Sequence, residues 1–143
     1  MALVLGVALA VVGLTDVALL WYPARWASIE WEFGTISSTF DALPLATIGL
    51  CTVAMAAVAR GYRWSARIAA LALLVVCLAL VAMAVVFWLD VPLALRAVAA
   101  PLKPALKRAI VKTGSISACY IALYAVFGVW VLRRSTSAKG ASR

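Results

Sequence analysis

Asp16 is the residue whose surroundings in this sequence most favour chemistry, because it lies inside the apolar run 2–22. A carboxylate within a membrane-length run usually faces other helices, where it relays protons, binds a cation or pairs with a basic residue. Four residues share a helical stripe with Asp16, at alternating three- and four-residue steps: Gly6, Leu9, Gly13 and Leu20. We therefore expect the carboxylate to face a bundle, about 6 Å from the middle of its helix. The alternative is a structural carboxyl that bonds a neighbouring hydroxyl or reaches the interface.

Three other polar side chains within the apolar runs are candidate site residues: Thr47, Tyr120 and Tyr124. When antiparallel helices are matched for depth, Thr47 and the region of Tyr120 fall at the level of Asp16. Tyr124 lies near the middle of its own run, so its hydroxyl needs a partner. We expect that partner to be a backbone carbonyl.

Acidic and aromatic residues alternate in the segment after the first run. They form a candidate surface for a partner loop or a cation: Trp26, Glu30, Trp31, Glu32 and Phe33. The alternative is an amphipathic segment that tryptophan anchors at the membrane interface. We expect part of it, about 24–33, to form a short interfacial helix, with a turn at Gly34 and with Asp41 capping the next helix.

Basic residues are concentrated beside or between the apolar runs. Six are expected to contact lipid head groups: Arg60, Arg63, Arg67, Lys103, Lys107 and Arg108. The first three lie in a short connection, 60–67, for which a specific anionic-lipid or phosphate site is an alternative. The others belong to a predicted basic interfacial helix over 102–112. Nucleic-acid binders carry their basic residues on a soluble face, so no nucleic-acid partner is expected.

The composition excludes several chemistries. Of 143 residues, 67% are hydrophobic and 13% are charged, and this leaves too few charges for a soluble surface. The absence of histidine removes His-ligated metals and haem and any catalytic pairing with imidazole. Cys51, Cys77 and Cys119 stand in separate apolar runs and form no CxxC pair. We therefore expect no enzyme activity, no catalytic residue, no metal and no cofactor.

Four apolar runs must position these residues: 2–22, 43–59, 68–89 and 114–132. A helix needs about 20 residues to cross a hydrocarbon core of about 30 Å, and backbone exposed to lipid must bond within its own helix. The fold class that follows is all-α, a polytopic membrane protein with a four-transmembrane-helix bundle. It forms a single domain, 1–134, with interfacial helices in the first and third loops and a flexible basic tail, 135–143.

The fourth run has two different sides. Small residues occupy one side: Ser115, Ala118, Ala122 and Ala125. Aromatic residues occupy the other: Tyr120, Tyr124 and Phe127. Small residues let membrane helices approach closely, so we expect the small side to pack against the bundle. The aromatic side could then contact a quinone, a pigment, a lipid or another protein.

The orientation follows from the basic residues outside the runs. If the N-terminus is inside, seven lie inside and six outside, which is nearly balanced under the positive-inside rule. The arginine-rich connection 60–67 and the basic tail favour cytoplasmic termini, and we expect the bacterial inner membrane. The first run has no basic n-region, so we expect a retained helix and not a signal peptide.

The absence of catalytic groups favours a structural or accessory protein that packs in a larger membrane complex. A respiratory or photosynthetic assembly would be a natural host. The expected partners are the lipid bilayer and other membrane subunits or a second copy. The alternative is a small proton- or cation-coupled transporter or channel that uses Asp16. Four spans with one acid in the first are similar to the layout of small multidrug-resistance transporters. Those proteins have a glutamate there and short connections, whereas this chain has Asp16 and a first loop of about twenty residues, 23–42, so it is assigned to no family.

Overall fold

A computed structural model describes residues 1–24 and 28–137, and for residues 29, 30 and 137 it describes the backbone alone. The described residues form four α-helices, α1 (Ala2–Leu20), α2 (Ile29–Ala59), α3 (Arg63–Ala97) and α4 (Lys103–Ser137), and a 3-10 turn at Ala100–Leu102. Each α-helix is long and apolar enough to cross a membrane. The prediction of an all-α chain with four such helices is confirmed. Most of the predicted tail lies outside the described residues.

Three of the helices extend well beyond their apolar runs. α2 has 31 residues, and α3 and α4 have 35 each. At 1.5 Å per residue they measure about 46 to 52 Å, against a hydrocarbon core of about 30 Å. The predicted loop 90–113 is therefore wrong in its extent, because α3 continues through Asp90 and Pro92 and α4 begins at Lys103. The predicted basic helix is the first part of α4.

The start of α2 also differs from the prediction. Ser28 is the N-cap, and its side chain accepts a hydrogen bond from the backbone N–H of Trp31 at 3.4 Å. Asp41 lies in the interior of α2 and caps nothing, and Gly34 is helical and forms no turn. The described part of the predicted interfacial helix belongs to α2. A serine cap followed by residues with moderate helix propensity is enough to start a helix before its apolar part.

α2 is the central helix of the molecule. It runs antiparallel to α1, since Gly13 lies against Ala46 and Gly49 against Ala10. It runs parallel to α4, because two side-chain hydrogen bonds, Ser37–Thr113 and Thr47–Tyr124, join the pair in the same order. Within the described ranges, α1 packs against α2 alone, whereas α2, α3 and α4 all pack against one another. The architecture is a three-helix core with α1 on its flank.

The contact between α1 and α2 is made by small residues at backbone distance. A Cβ atom added at Gly13 would overlap the backbone of Ala46, and one added at Gly49 would overlap the backbone of Ala10. A Cβ at Gly6 would lie 3.1 Å from the carbonyl oxygen of Gly49. Membrane helices use such residues for close approach, so this contact depends on the missing side chains.

The three-helix core is filled by larger side chains. The largest fully buried ones include Phe40, Phe87, Leu73, Tyr124 and Val131. The predicted packing side of α4 is wrong: three of its four small residues, Ser115, Ala118 and Ala122, are exposed. The aromatic side faces the core, with Tyr124 buried and Tyr120 and Phe127 half-buried. Large rings fill the wider space where three helices meet, and the small residues that do face the core include Ser117 and Gly128.

Candidate functional site

Asp16 lies on the exposed face of α1, so the expectation that it faces the bundle is wrong. The buried residues of α1 are Gly6, Ala10 and Gly13, and the half-buried Val17 continues their line. The packed stripe therefore advances by four residues from Gly13, not by three. Adjacent residues differ by about 100° around a helix axis. Packing Val17 against the protein turns Asp16 outward and avoids burying a carboxylate without a partner.

The surface around Asp16 is apolar. One turn away on either side stand Val12 and Leu19, which are 52% and 64% exposed. The neighbouring hydroxyl of Thr15 is satisfied within the helix, since it donates to the carbonyl oxygen of Val11 at 2.8 Å. Asp16 itself forms no hydrogen bond or ion pair with the described residues. We call this exposed side, with Val12, Thr15, Asp16 and Leu19, the outer face of α1.

The predicted polar partners of Asp16 bond elsewhere. Thr47 and Tyr124 lie together between α2 and α4, and their hydroxyl oxygens are 2.8 Å apart. Thr47 also donates to the carbonyl oxygen of Leu43, at 2.9 Å, so Tyr124 donates to Thr47. The expected backbone partner for Tyr124 is wrong. The meeting of Asp16 with Thr47 or Tyr120 is absent, because Asp16 points away from both helices.

Tyr120 lines a groove between α2 and α4 with a volume of about 440 Å³. Asp41, Ser115, Cys119 and Leu123 also line it. Lys112 lies 3.2 Å from Asp41, and both side chains are more than half exposed. The groove is open on its outer side, so a molecule outside the helices can enter it.

Two of the predicted partner-surface residues are used inside the protein. The ring of Trp31 meets that of Trp21 edge-on at 5.8 Å, and Phe33 stacks on Phe87 at 4.8 Å. Trp21 also donates from its indole N–H to the hydroxyl of Thr39, at 3.1 Å. These contacts fix the start of α2 against α3 and the end of α1. Trp26 lies outside the described residues, as does the side chain of Glu30.

Asp90 is a polar residue that the sequence patterns did not single out. It stands one turn after Phe87 in α3, and one carboxylate oxygen is buried with no hydrogen-bond partner among the described residues. The carboxylate of Glu32, in α2, acts on it electrostatically. Its position directly after the third apolar run made it look like a loop residue. The signal that could have found it is its one-turn spacing from Phe87.

The basic residues lie at two opposite ends of the helices. The first group, which we call the arginine end, comprises Arg60, Arg63, Arg67, Arg133 and Arg134. The other end carries Lys103, Lys107 and Arg108, all exposed. In the described part of the chain no three His, Cys, Asp or Glu residues are grouped to hold a metal ion. Comparison of the chain with protein-family models, curated proteins and solved structures found no match.

Proposed function

We propose that this chain is a non-catalytic integral membrane protein that joins a larger membrane complex through the outer face of α1. The observation that carries the proposal is the exposed carboxylate of Asp16 on an otherwise apolar helix face. The partner is a different protein, and it presents a transmembrane helix with a basic residue or a hydrogen-bond donor at the depth of Asp16.

The energetics of a carboxylate in lipid support a partner at this position. α1 has 19 residues and measures about 28 Å, so its whole length matches a hydrocarbon core. An acidic residue at the centre of a membrane helix costs about 2.5 to 3.5 kcal/mol. Asp16 is off-centre, which reduces this cost without removing it. Contact with a basic or donor group on another helix offsets the cost, and lipid tails offer no such group.

The distribution of charge argues for a different protein and against a second copy. No Lys or Arg falls within any of the four apolar runs, 2–22, 43–59, 68–89 and 114–132. A second copy that docked through its own outer face would bring no basic residue to Asp16, because α1 has no Lys or Arg. In a two-fold symmetric dimer through this face, Asp16 would meet its own counterpart.

The packing of α1 suits a docking role. Its small residues are committed to α2, and its large apolar side chains point outward: Val4, Leu5, Val11, Val12, Leu14 and Leu19. Because the backbones of α1 and α2 lie in contact, α1 is held in one orientation. A helix fixed in this way presents the same face to every partner.

We also propose that both termini lie in the cytoplasm. The arginine end carries five described arginines, and Lys139 and Arg143 follow α4 in the sequence. Basic residues close to the ends of membrane helices are retained on the cytoplasmic side. A C-terminal fusion to a reporter that is active only in the cytoplasm should be active, and an inactive fusion would reverse this orientation.

The function is tested by removing the carboxylate and following the assembly. The chain is purified in mild detergent from its native membrane, and the size of the complex is measured for wild type, Asp16→Leu and Asp16→Asn. Asp41→Asn is the matched control, because Asp41 is an exposed carboxylate outside α1. We expect wild type and D41N to remain in a complex of fixed stoichiometry, and D16L to be recovered as the free chain.

The Asn variant distinguishes two kinds of partner. If the partner presents a hydrogen-bond donor, D16N keeps most of the complex, and if it presents a positive charge, D16N loses it as D16L does. A wild-type protein recovered only as a free monomer would contradict the proposal. So would a complex that D16L leaves intact, because the carboxylate would then face lipid or play no part in assembly.

A further inference from the structure

A small pocket lies at the arginine end, between the turn that joins α2 to α3 and the last turns of α4. Its volume is about 220 Å³. Tyr62 and Arg63 line it from the start of α3, with Gly61 before them, and Arg134 and Ser135 line it from α4. Ala57 and Val58, at the end of α2, complete the lining. The pocket is therefore formed by residues of three helices.

The turn beneath the pocket is built for a sharp change of direction. Gly61 has a φ of +68°, a left-handed conformation that favours glycine. The N–H of Gly61 donates to the carbonyl of Val58 and that of Tyr62 to the carbonyl of Ala57, both at 3.1 Å. This pair of bonds is the Schellman motif that closes a helix. It satisfies the last carbonyls of α2 and places the first turn of α3 directly beside the pocket.

The electrostatics of the pocket favour an anion. Arg63 and Arg134 bring two guanidinium groups from two helices, and the described residues that line the pocket include no acidic one. The guanidinium of Arg134 lies 5.4 Å from the centre of the Trp130 ring, a cation–π contact that restrains it. All five acidic residues of the chain belong to the other half of the molecule: Asp16, Glu30, Glu32, Asp41 and Asp90.

We propose that this pocket binds the phosphate group of an anionic phospholipid. It lies just beyond the apolar runs 43–59 and 68–89, where lipid head groups are found. Arginine forks bond phosphate oxygens in pairs, and the two guanidiniums belong to the pocket itself. A zwitterionic lipid offers the same phosphate but adds a cation, which the arginine end repels. The pocket therefore selects for net negative charge.

The binding is tested in detergent with phosphatidylglycerol and phosphatidylcholine of the same acyl chains, counted on the intact protein by native mass spectrometry. The variants are Arg63→Gln and Arg134→Gln. Arg60→Gln and Arg133→Gln are matched controls, because each removes one exposed arginine next in sequence to the pocket without touching its lining. Inorganic phosphate serves as a soluble competitor. Circular dichroism checks that each variant keeps its helix content.

We expect wild type to prefer phosphatidylglycerol, and R63Q and R134Q each to weaken that binding about tenfold, while R60Q and R133Q change it by less than about twofold. If the pocket and control variants lose phosphatidylglycerol binding equally, the lipid is attracted by the overall positive charge of the arginine end and not by the pocket, and the proposal is overturned. Equal affinity for the two lipids would overturn it as well. Displacement of the lipid by an equal concentration of inorganic phosphate would assign the pocket to a soluble phosphate compound instead.

Discussion

The two sides of α2 hold their neighbours by different means. On the side of α1 the contact is steric, with Gly13 and Gly49 letting two backbones touch. On the side of α4 it is polar, with hydroxyl pairs at Ser37–Thr113 and Thr47–Tyr124. Lipid tails are as apolar as leucine, so helices in a membrane gain little from burying apolar surface. Close packing and hydrogen bonding are the two remaining sources of association, and α2 uses one on each side.

The difference also decides which side chains of each neighbour stay exposed. The steric contact with α1 leaves the larger side chains of α1, and Asp16, on the outside. The polar contact with α4 buries Tyr124, which is 1% exposed, and makes α4 part of the core. The outer helix thus keeps its large apolar side chains and its carboxylate exposed, whereas the inner helices bury Tyr124 and Thr47 between them.

The largest effect is expected from filling the steric contact. Gly13→Leu places a side chain where the backbone of Ala46 lies, so α1 must move off α2. We expect a loss of about 3 kcal/mol, the upper end for overpacking, because backbone cannot yield as a side chain can. The measurement is the free energy of unfolding in mixed micelles of SDS and a mild detergent.

Gly34→Leu is the matched control for this substitution, because an added Cβ at Gly34 meets nothing within 4 Å. It should be neutral or stabilise α2 by up to about 1 kcal/mol, since glycine is a poor helix former. If G13L and G34L lower the free energy of unfolding equally, a leucine at any helical glycine is destabilising, and the close contact at Gly13 is not the cause.

A smaller effect is expected from breaking the polar contact. Tyr124→Phe removes the hydroxyl that lies 2.8 Å from Thr47 Oγ1. Thr47 keeps its bond to the carbonyl of Leu43, so the loss should be about 1 kcal/mol, within the range of interhelical hydrogen bonds in membranes. A double-mutant cycle with Thr47→Val measures the coupling.

Tyr120→Phe is the control for the tyrosine substitution, because the Tyr120 hydroxyl forms no hydrogen bond with the described residues. Its loss should be below about 0.5 kcal/mol. A coupling near zero between T47V and Y124F would contradict the assignment of a polar contact and leave α4 held by packing alone.

The smallest effect is expected at the exposed ion pair between α2 and α4. Lys112 and Asp41 are 64% and 52% exposed, and Asp41 lies level with the last turn of α1, near the edge of the hydrocarbon core, so interfacial water screens their attraction. Lys112→Gln should cost about 0.5 kcal/mol or less, and the difference should disappear in high salt. If Lys112→Gln lowers the free energy of unfolding more than Y124F does, the ranking is wrong, and the exposed ion pair is the stronger polar contact between α2 and α4.

The sequence predicts the four helices well because each is built around an apolar run of membrane length. It does not predict where they end. The residues of 29–42 and 103–113 look like loops by hydropathy, yet they continue helices. The extension of α2 contacts the apolar part of α3 at Phe33–Phe87 and the extension of α4 at Ser37–Thr113. Such stabilisation comes from residues distant in sequence, and apolar runs carry no information about it.

The orientation of Asp16 shows how narrowly a site can be missed. A buried stripe on a helix recurs every three or four residues. After Gly13, a three-residue step places Asp16 on the stripe, and a four-residue step places Val17 there. Gly6 and Gly13, which belong to both versions of the stripe, do lie at the close contact with α2. The choice of the next step depends on the shape of α2 opposite, around Ala46, which the sequence of α1 does not contain.

The aromatic side of α4 shows a second physical limit. A row of alanines suits close approach of two helices, but α4 packs into the wider space beside α2 and α3 together. Rings such as Tyr124 fill that space, and the row of small residues is left outside. The number of neighbours a helix has therefore decides which of its sides is buried.

The central claim is that the outer face of α1 meets a different membrane protein. A photo-reactive residue placed at Leu19, 64% exposed on this face, is compared in native membranes with one at Leu78, 70% exposed on α3. We predict that position 19 cross-links to a single other protein, next to a basic or donor residue in its membrane helix. The cross-link should vanish with Asp16→Leu, and position 78 should label lipid. Lipid alone at position 19, a cross-link to a second copy, or a partner retained in the D16L variant would contradict the claim.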